Sequence, residues 1–113
     1  MMSRHGDKLF VYGALLDSAK RARLLGRIVK AEPARLKGYE RRRRRYFYLA
    51  PRDGSHVDGE VLHGLGDADF CILDEYEEVP LLYSRARATA VSARGKRIEC
   101  WVYLPAGWEK ESG

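Results

Sequence analysis

Apolar and polar positions along the chain fall into short blocks with different periods. Lys8-Leu9-Phe10-Val11-Tyr12 is rich in β-branched and aromatic residues and stops at Gly13. This predicts a buried first strand ended by a residue that tolerates unusual backbone angles. Ser18 then predicts the cap of a short helix through about Leu25, with Ala19, Ala22 and Leu25 on neighbouring turns and Gly26 as its stop. Ala34 to Tyr39 and Arg42 to Leu49 read as two strands separated near Gly38 to Glu40, with Tyr46 and Tyr48 on one face. Pro51-Arg52-Asp53-Gly54-Ser55 is dense in turn formers. His56 to Leu65 follows as a strand with Val57, Gly59, Val61 and His63 on one side.

Asp67 predicts the N-cap of a second helix carrying Phe70, Cys71, Ile72, Leu73 and Tyr76, its pattern ended by Pro80. Tyr83 to Val91 and Arg97 to Leu104 close the chain as strands around the turn Ser92 to Lys96, with a polar tail from Glu109. This order does not alternate strand and helix as a doubly wound sheet requires. The expected class is α+β: a mixed, barrel-like β-sheet with two main short helices.

At 113 residues the chain suits one domain, residues 1–113, with an ordered core over about 8–105. With 45% hydrophobic and 33% charged residues it carries enough apolar surface to fold alone. No apolar run approaches the ~20 residues of a membrane-spanning helix. The start, Ser3-Arg4-His5-Gly6-Asp7-Lys8, lacks the hydrophobic core of a secretory signal, so no membrane partner and a cytoplasmic location are expected. Cys71 and Cys100 show no CxxC spacing and read as buried small hydrophobes. His5, His56 and His63 show no ligand spacing, and phosphate-cradling glycine loops are lacking, so neither metal nor cofactor is expected.

The net charge of +5 raises the question of nucleic acid. Much of that basicity is the run Arg41 to Arg45; on a strand, Arg41, Arg43 and Arg45 face away from Arg42 and Arg44, which divides the charge. The run therefore reads as a solvated hairpin.

Phe10-Val11-Tyr12-Gly13-Ala14-Leu15 resembles the signature of gamma-glutamylcyclotransferase-like proteins, whose first strand enters a Tyr-Gly-Ser/Thr-Leu turn. Leu73-Asp74-Glu75-Tyr76-Glu77, then Tyr83-Ser84-Arg85 and Trp101-Val102-Tyr103, are similar in order to that family's Leu-Asp-x-x-Glu helix end, Tyr-x-Arg strand and terminal strand. Leu36-Lys37-Gly38-Tyr39 and Val57-Asp58-Gly59-Glu60-Val61 resemble the connecting strands, so the likeness runs from Leu9 to Leu104. Two departures stand out. Ala14 occupies a position where a hydroxyl residue is usual, and Glu78 follows the acid where many relatives have glycine.

The resemblance implies a fold and a reaction. The free α-amine of a gamma-glutamyl compound attacks its own gamma-carbonyl, releasing 5-oxoproline and an amine or amino acid. Glu77 aligns with the catalytic acid/base, and Tyr12, Gly13, Ala14, Leu15, Tyr83 and Tyr103 with the substrate pocket. A substrate containing its own nucleophile needs positioning and one proton carrier, whose pKa should rise from ~4.3 toward ~6 to 7. Glu77 has Leu73 at i−4 and Phe70 at i−7, ends a helix, and stands near Asp74, Glu75 and Glu78; burial, the helix dipole and like charges are all expected to raise its pKa. Main-chain N–H groups of the Gly13-Ala14-Leu15 turn are candidate donors to the developing oxyanion. Arg85 is read as pairing with an acidic neighbour in preference to a substrate carboxylate.

The expected partner is a small gamma-glutamyl molecule. Two alternatives remain: a non-catalytic relative that binds a small molecule or protein, and, ranked third, a nucleic-acid binder using Arg41 to Arg45 with Tyr46, Phe47 and Tyr48 as stacking groups.

Overall fold

The block at Leu9 forms strand β1 (Leu9–Val11), whose three residues are all buried because they separate two hydrophobic clusters. The computed structural model describes residues 7–106, and the polar tail expected from Glu109 and His5 lie outside them. After β1 come a 3-10 turn over Ala14–Leu16, helix α1 (Ser18–Leu25), strands β2 (Ala31–Arg43) and β3 (Phe47–Leu62), helix α2 (Asp67–Tyr76), and strands β4 (Tyr83–Ser92) and β5 (Arg97–Pro105). The strands close into a barrel in the order β1-β3-β2-β4-β5. All neighbours pair antiparallel except β1 with β5, so the sheet is mixed, as the element order predicted.

Strand alternation explains the two clusters. Phe10, with Tyr12 just beyond β1, joins Leu36, Leu49, Val61 and Val102 in a core drawn from all five strands and no helix, which is the barrel interior. Leu9 and Val11 face the other way and meet Leu25 of α1 and Phe70 and Leu73 of α2. Gly59 is required where β1 crosses β3, since a Cβ there would lie 2.3 Å from the Val11 carbonyl oxygen.

Both helix caps fall one residue from expectation. Asp17, not Ser18, caps α1, accepting from the N–H groups of Ala19 and Lys20 at 3.0 and 3.2 Å. Gly66, not Asp67, is the N-cap of α2. Gly26 ends α1 at φ 77, the left-handed stop that its position predicted.

The strand boundaries around the arginines differ more. Gly38 does not break a strand; alone on β2, at φ 88, it faces Arg52, Asp53, Gly54 and Ser55 of β3 in an extended bulge. The turn formers at 51–55 therefore sit inside a strand, and the hairpin reverses at Arg44 to Tyr46, where the Arg44 N–H donates to the Tyr46 carbonyl at 3.2 Å. Turn chemistry is satisfied equally well by a bulge, and local composition does not distinguish the two. Tyr46 consequently lies in the turn and shares no strand face with Tyr48. His63 lies past the end of β3 against Glu32. Cys100 is buried as expected, whereas Cys71 is exposed because it falls on the solvent side of α2.

Candidate functional site

A cavity of about 300 Å³ opens where the end of β1, the end of α2 and the tip of the β2–β3 hairpin meet. Tyr12, Gly13, Ala14, Leu15, Glu77, Tyr83 and Tyr103, distant in sequence, all stand on its wall.

The first wall is the turn after β1. The Gly13 carbonyl accepts from Leu16 N–H at 3.0 Å and the Ala14 carbonyl from Asp17 N–H at 3.2 Å. The N–H groups of Ala14 and Leu15 precede the first of these bonds, so the turn itself gives them no acceptor. Arg21 holds the turn from behind: only 7% exposed, it donates to the carbonyls of Leu15 and Leu16 and to Glu60 Oε1 at 3.0, 3.3 and 3.0 Å. Nothing in the sequence marked Arg21, which interrupts the apolar face of α1 and reads locally as a surface charge. Gly13 has φ −134, and a Cβ there would stand 3.4 Å from Phe47 Cβ, in van der Waals contact with the hairpin tip.

Glu77 supplies the second wall. It follows α2 directly, its N–H bonded to the Leu73 carbonyl at 2.9 Å, with the preceding turns anchored by buried Leu73 and Phe70. Burial pushes its carboxyl up to about 7. The expected help from neighbouring carboxylates is not evident, for physical reasons. Asp74 is engaged by Arg85 Nε at 3.0 Å and by the Tyr103 hydroxyl at 2.7 Å, while Glu75 and Glu78 are exposed, where water screens them. Among the described residues no group donates a hydrogen bond to the Glu77 carboxylate, and no buried side-chain oxygen lacks a partner, so its oxygens face the cavity.

Three phenols surround that acid with their protons directed elsewhere. Tyr12 donates to the Tyr103 carbonyl at 2.7 Å, Tyr103 to Asp74, and Tyr83 to the Phe47 carbonyl at 2.8 Å. Burial first, and the Glu77 charge second or later, raise all three phenols above their ordinary value, which leaves them neutral. Arg85 is structural as expected: it pairs with Asp74 and packs 4.5 and 5.0 Å over the rings of Phe70 and Trp101.

Glu78 adopts φ 56, the left-handed region that favours glycine, which gives a reason for glycine at that place in similar proteins. Among the described residues no three histidine, cysteine or carboxylate groups converge as a metal ion requires.

The third wall was not read from the sequence. Arg43, Arg45, Tyr46 and Phe47 of the hairpin tip line the cavity. Arg41 Nη1 donates to the Tyr12 carbonyl at 2.9 Å and its guanidinium lies 4.6 Å over Phe47, so the tip is clasped onto the end of β1. Arg42 instead pairs with Glu40, and Arg44 packs over Tyr48. Strand alternation separates Arg41 and Arg43 from Arg42 only, because Arg44 and Arg45 lie in the turn; Arg43 and Arg45 line the pocket where solvent was expected. The available signal was Tyr46-Phe47 directly after the arginines, apolar bulk placed at a hairpin tip.

The family model for gamma-glutamyl cyclotransferase, AIG2-like, matches residues 9–113. A Methanocaldococcus jannaschii protein named gamma-glutamylcyclotransferase and putative RNase is 31% identical over 99 residues, covering 85% of this chain and 45% of that protein. AIG2-like protein D of Arabidopsis thaliana is 27% identical over 106 residues, covering 91% of this chain and 68% of that protein. This chain thus spans less than half the length of the archaeal relative. Among solved structures, one from Arabidopsis thaliana superposes with a TM-score of 0.80 at 25% identity, covering 89% of this chain and 69% of its own. One titled gamma-glutamyl cyclotransferase superposes with a TM-score of 0.76 at 20% identity, covering 88% and 66%, a likeness of fold alone.

Proposed function

This chain belongs to the AIG2-like gamma-glutamyl cyclotransferase family, and from that premise we propose that it cyclises gamma-glutamyl compounds to 5-oxoproline with Glu77 as general acid/base. The observation that carries this reading is a half-buried carboxyl with no hydrogen-bond donor among the described residues and a pKa raised to about 7, on the wall of a cavity shared with the Gly13-Ala14-Leu15 turn.

The substrate's α-nitrogen attacks the gamma-carbonyl carbon, and the bond from that carbon to the leaving nitrogen breaks. No water or cofactor enters the balance: the proton lost by the attacking amine is the one gained by the departing amine. Glu77 carries it, and a pKa near 7 makes acceptance and return comparably easy at neutral pH. The carbonyl oxygen turns negative as the ring closes and is met by the N–H groups of Ala14 and Leu15. Because those donors are main-chain groups, Ala14 lacks nothing needed there. Arg21 fixes their direction through the Leu15 and Leu16 carbonyls, a positioning task performed from outside the cavity.

Tyr12, Tyr83 and Tyr103 contribute shape and a low dielectric. Their hydroxyls are spent on protein acceptors, so they wall off water without competing for the Glu77 proton. A curled glutamyl group held this way gains the advantage of an intramolecular reaction, with effective molarities of ~10⁵ M or more in well-oriented cases.

The test is 5-oxoproline release from a panel of gamma-glutamyl amino acids and gamma-glutamyl amines by the purified protein. Release from at least one of them is expected; silence across the panel would remove the enzymatic reading and leave the fold.

A further inference from the structure

Of the five consecutive arginines, Arg41 is bonded to the Tyr12 carbonyl, Arg42 to Glu40, and Arg44 lies against Tyr48. Arg43 and Arg45 remain, and both stand on the cavity wall. Arg43 packs 5.2 Å over the Phe47 ring, and neither has an acidic partner among the described residues. The acidic residues on the same wall are Glu77 and Glu78. Glu77 is uncharged for much of its time near neutrality, so two guanidinium charges outweigh the one carboxylate of Glu78 at this opening. The rest of the rim is apolar: Tyr46, Phe47, Tyr76 and Leu82.

With the glutamyl head between Glu77 and the Gly13 turn, the group beyond its gamma-amide extends toward that rim. A free amino acid as leaving group offers an apolar side chain to the rings and an α-carboxylate to the guanidinium groups, which match planar carboxylates. A polyamine or lysine leaving group brings a cation to the same place and is repelled. We infer that Arg43 and Arg45 are specificity residues, and that this pocket selects gamma-glutamyl amino acids with apolar side chains over gamma-glutamyl amines. The inference rests on the cyclotransferase reading for its pose and deepens it by naming the leaving group.

Gamma-glutamylphenylalanine and gamma-glutamylphenethylamine differ only in the carboxylate of the leaving group, which makes them the matched probes. The wild-type protein is expected to favour the first by about fivefold in kcat/KM at low salt, the upper range for charge pairs open to water, and the preference should shrink at about 0.5 M salt. In the double variant Arg43→Gln, Arg45→Gln the ratio falls toward one; in Arg44→Gln, whose side chain packs over Tyr48 and does not line the cavity, the ratio persists.

Titration calorimetry of both probes with Glu77→Gln gives the same preference in Kd without turnover. If the wild type releases no 5-oxoproline, the cyclotransferase reading fails while this binding ratio still decides the role of the arginines. A ratio near one in both assays overturns the inference. So does a double variant that weakens both probes in parallel, because the arginines would then hold the head that the probes share. Equal loss of the ratio in Arg44→Gln would show a diffuse field and overturn the assignment to these two residues.

Discussion

The two ends of α2 carry the same chemical group in opposite circumstances. At the N-terminal end the Asp69 carboxylate accepts from the Gly66 N–H at 2.8 Å and from both terminal nitrogens of Arg27 at 2.7 Å, and these bonds hold its pKa below the ordinary value. At the C-terminal end Glu77 has no such partner, and burial raises its pKa. One helix therefore presents a carboxylate committed to structure and a carboxylate kept free. The difference lies in a partner supplied by another element: Arg27 of the loop after α1 pairs with Asp69, whereas no group among the described residues donates a hydrogen bond to Glu77. Asp74 shows that proximity alone does not decide it. Three residues from Glu77, it is occupied by Arg85 and Tyr103 and belongs with Asp69.

The strongest way to break this contrast is Glu77→Gln. The variant keeps size and loses the proton, so 5-oxoproline release should fall by about 10²- to 10⁴-fold, the usual contribution of a general acid/base. The wild-type rate should also depend on pH with the sign that a carboxylate base requires. Below about 7 Glu77 is protonated and the rate drops; as pH rises through about 7 it climbs to a plateau. An ordinary glutamate would already be flat from about pH 5. Activity retained in Glu77→Gln, or a profile without that limb, removes Glu77 as the proton carrier.

Next in size is the stability of the same variant. A carboxyl with a raised folded-state pKa stabilises the fold most below 4.5, and that contribution is lost as pH rises through about 7. Glu77→Gln is free of this loss, so it should be more stable than wild type by about 2 kcal/mol at pH 8, allowing for the open mouth of the cavity, and nearly equal at pH 4. Urea denaturation at the two pH values reads the difference directly. A catalytic substitution that stabilises is the mark of a group held in place against its own preference.

Asp69→Ala should do the reverse. Losing the bond to Gly66 N–H and the pairing with Arg27 should lower stability by about 1 to 2 kcal/mol in urea denaturation, while the midpoint of the pH–rate profile stays where it was. For Asp69 the folded-state pKa is depressed, so its contribution is present above 3.8 and lost as pH falls through the lower folded value. If Asp69→Ala moved the rate midpoint instead of the stability, the two helix ends would not be independent.

Much of this contrast was legible in the sequence. Phe70, Leu73 and Glu77 recur on one helical face, so a carboxylate continuing an apolar stripe could be identified without coordinates. The strand blocks at Leu9, Tyr83 and Arg97 were likewise visible, the first as consecutive buried apolar residues and the other two through alternation of apolar and polar residues. The hairpin tip was not visible. A bulge at Gly38 and a turn at Arg44 to Tyr46 depend on how two long strands bend around a barrel, a tertiary effect that local turn residues at 51–55 misrepresent. Arg21 was missed for the same reason: its three acceptors come from a turn before it and a strand far after it.

The smallest expected effect sharpens the comparison most finely. Tyr103→Phe removes the hydroxyl that donates to Asp74 and leaves Arg85 in place, with the phenyl ring still closing the cavity. Stability should fall by about 1 kcal/mol, the net worth of one partly buried hydrogen bond. If burial alone governs Glu77, its midpoint near 7 stays put, because the ring that excludes water is unchanged. If the Asp74 network reaches Glu77 electrostatically, a less neutralised Asp74 raises the midpoint by a measurable fraction of a pH unit. The rate profile of this one variant therefore separates a carboxyl kept protonated by dryness from one kept protonated by its neighbours.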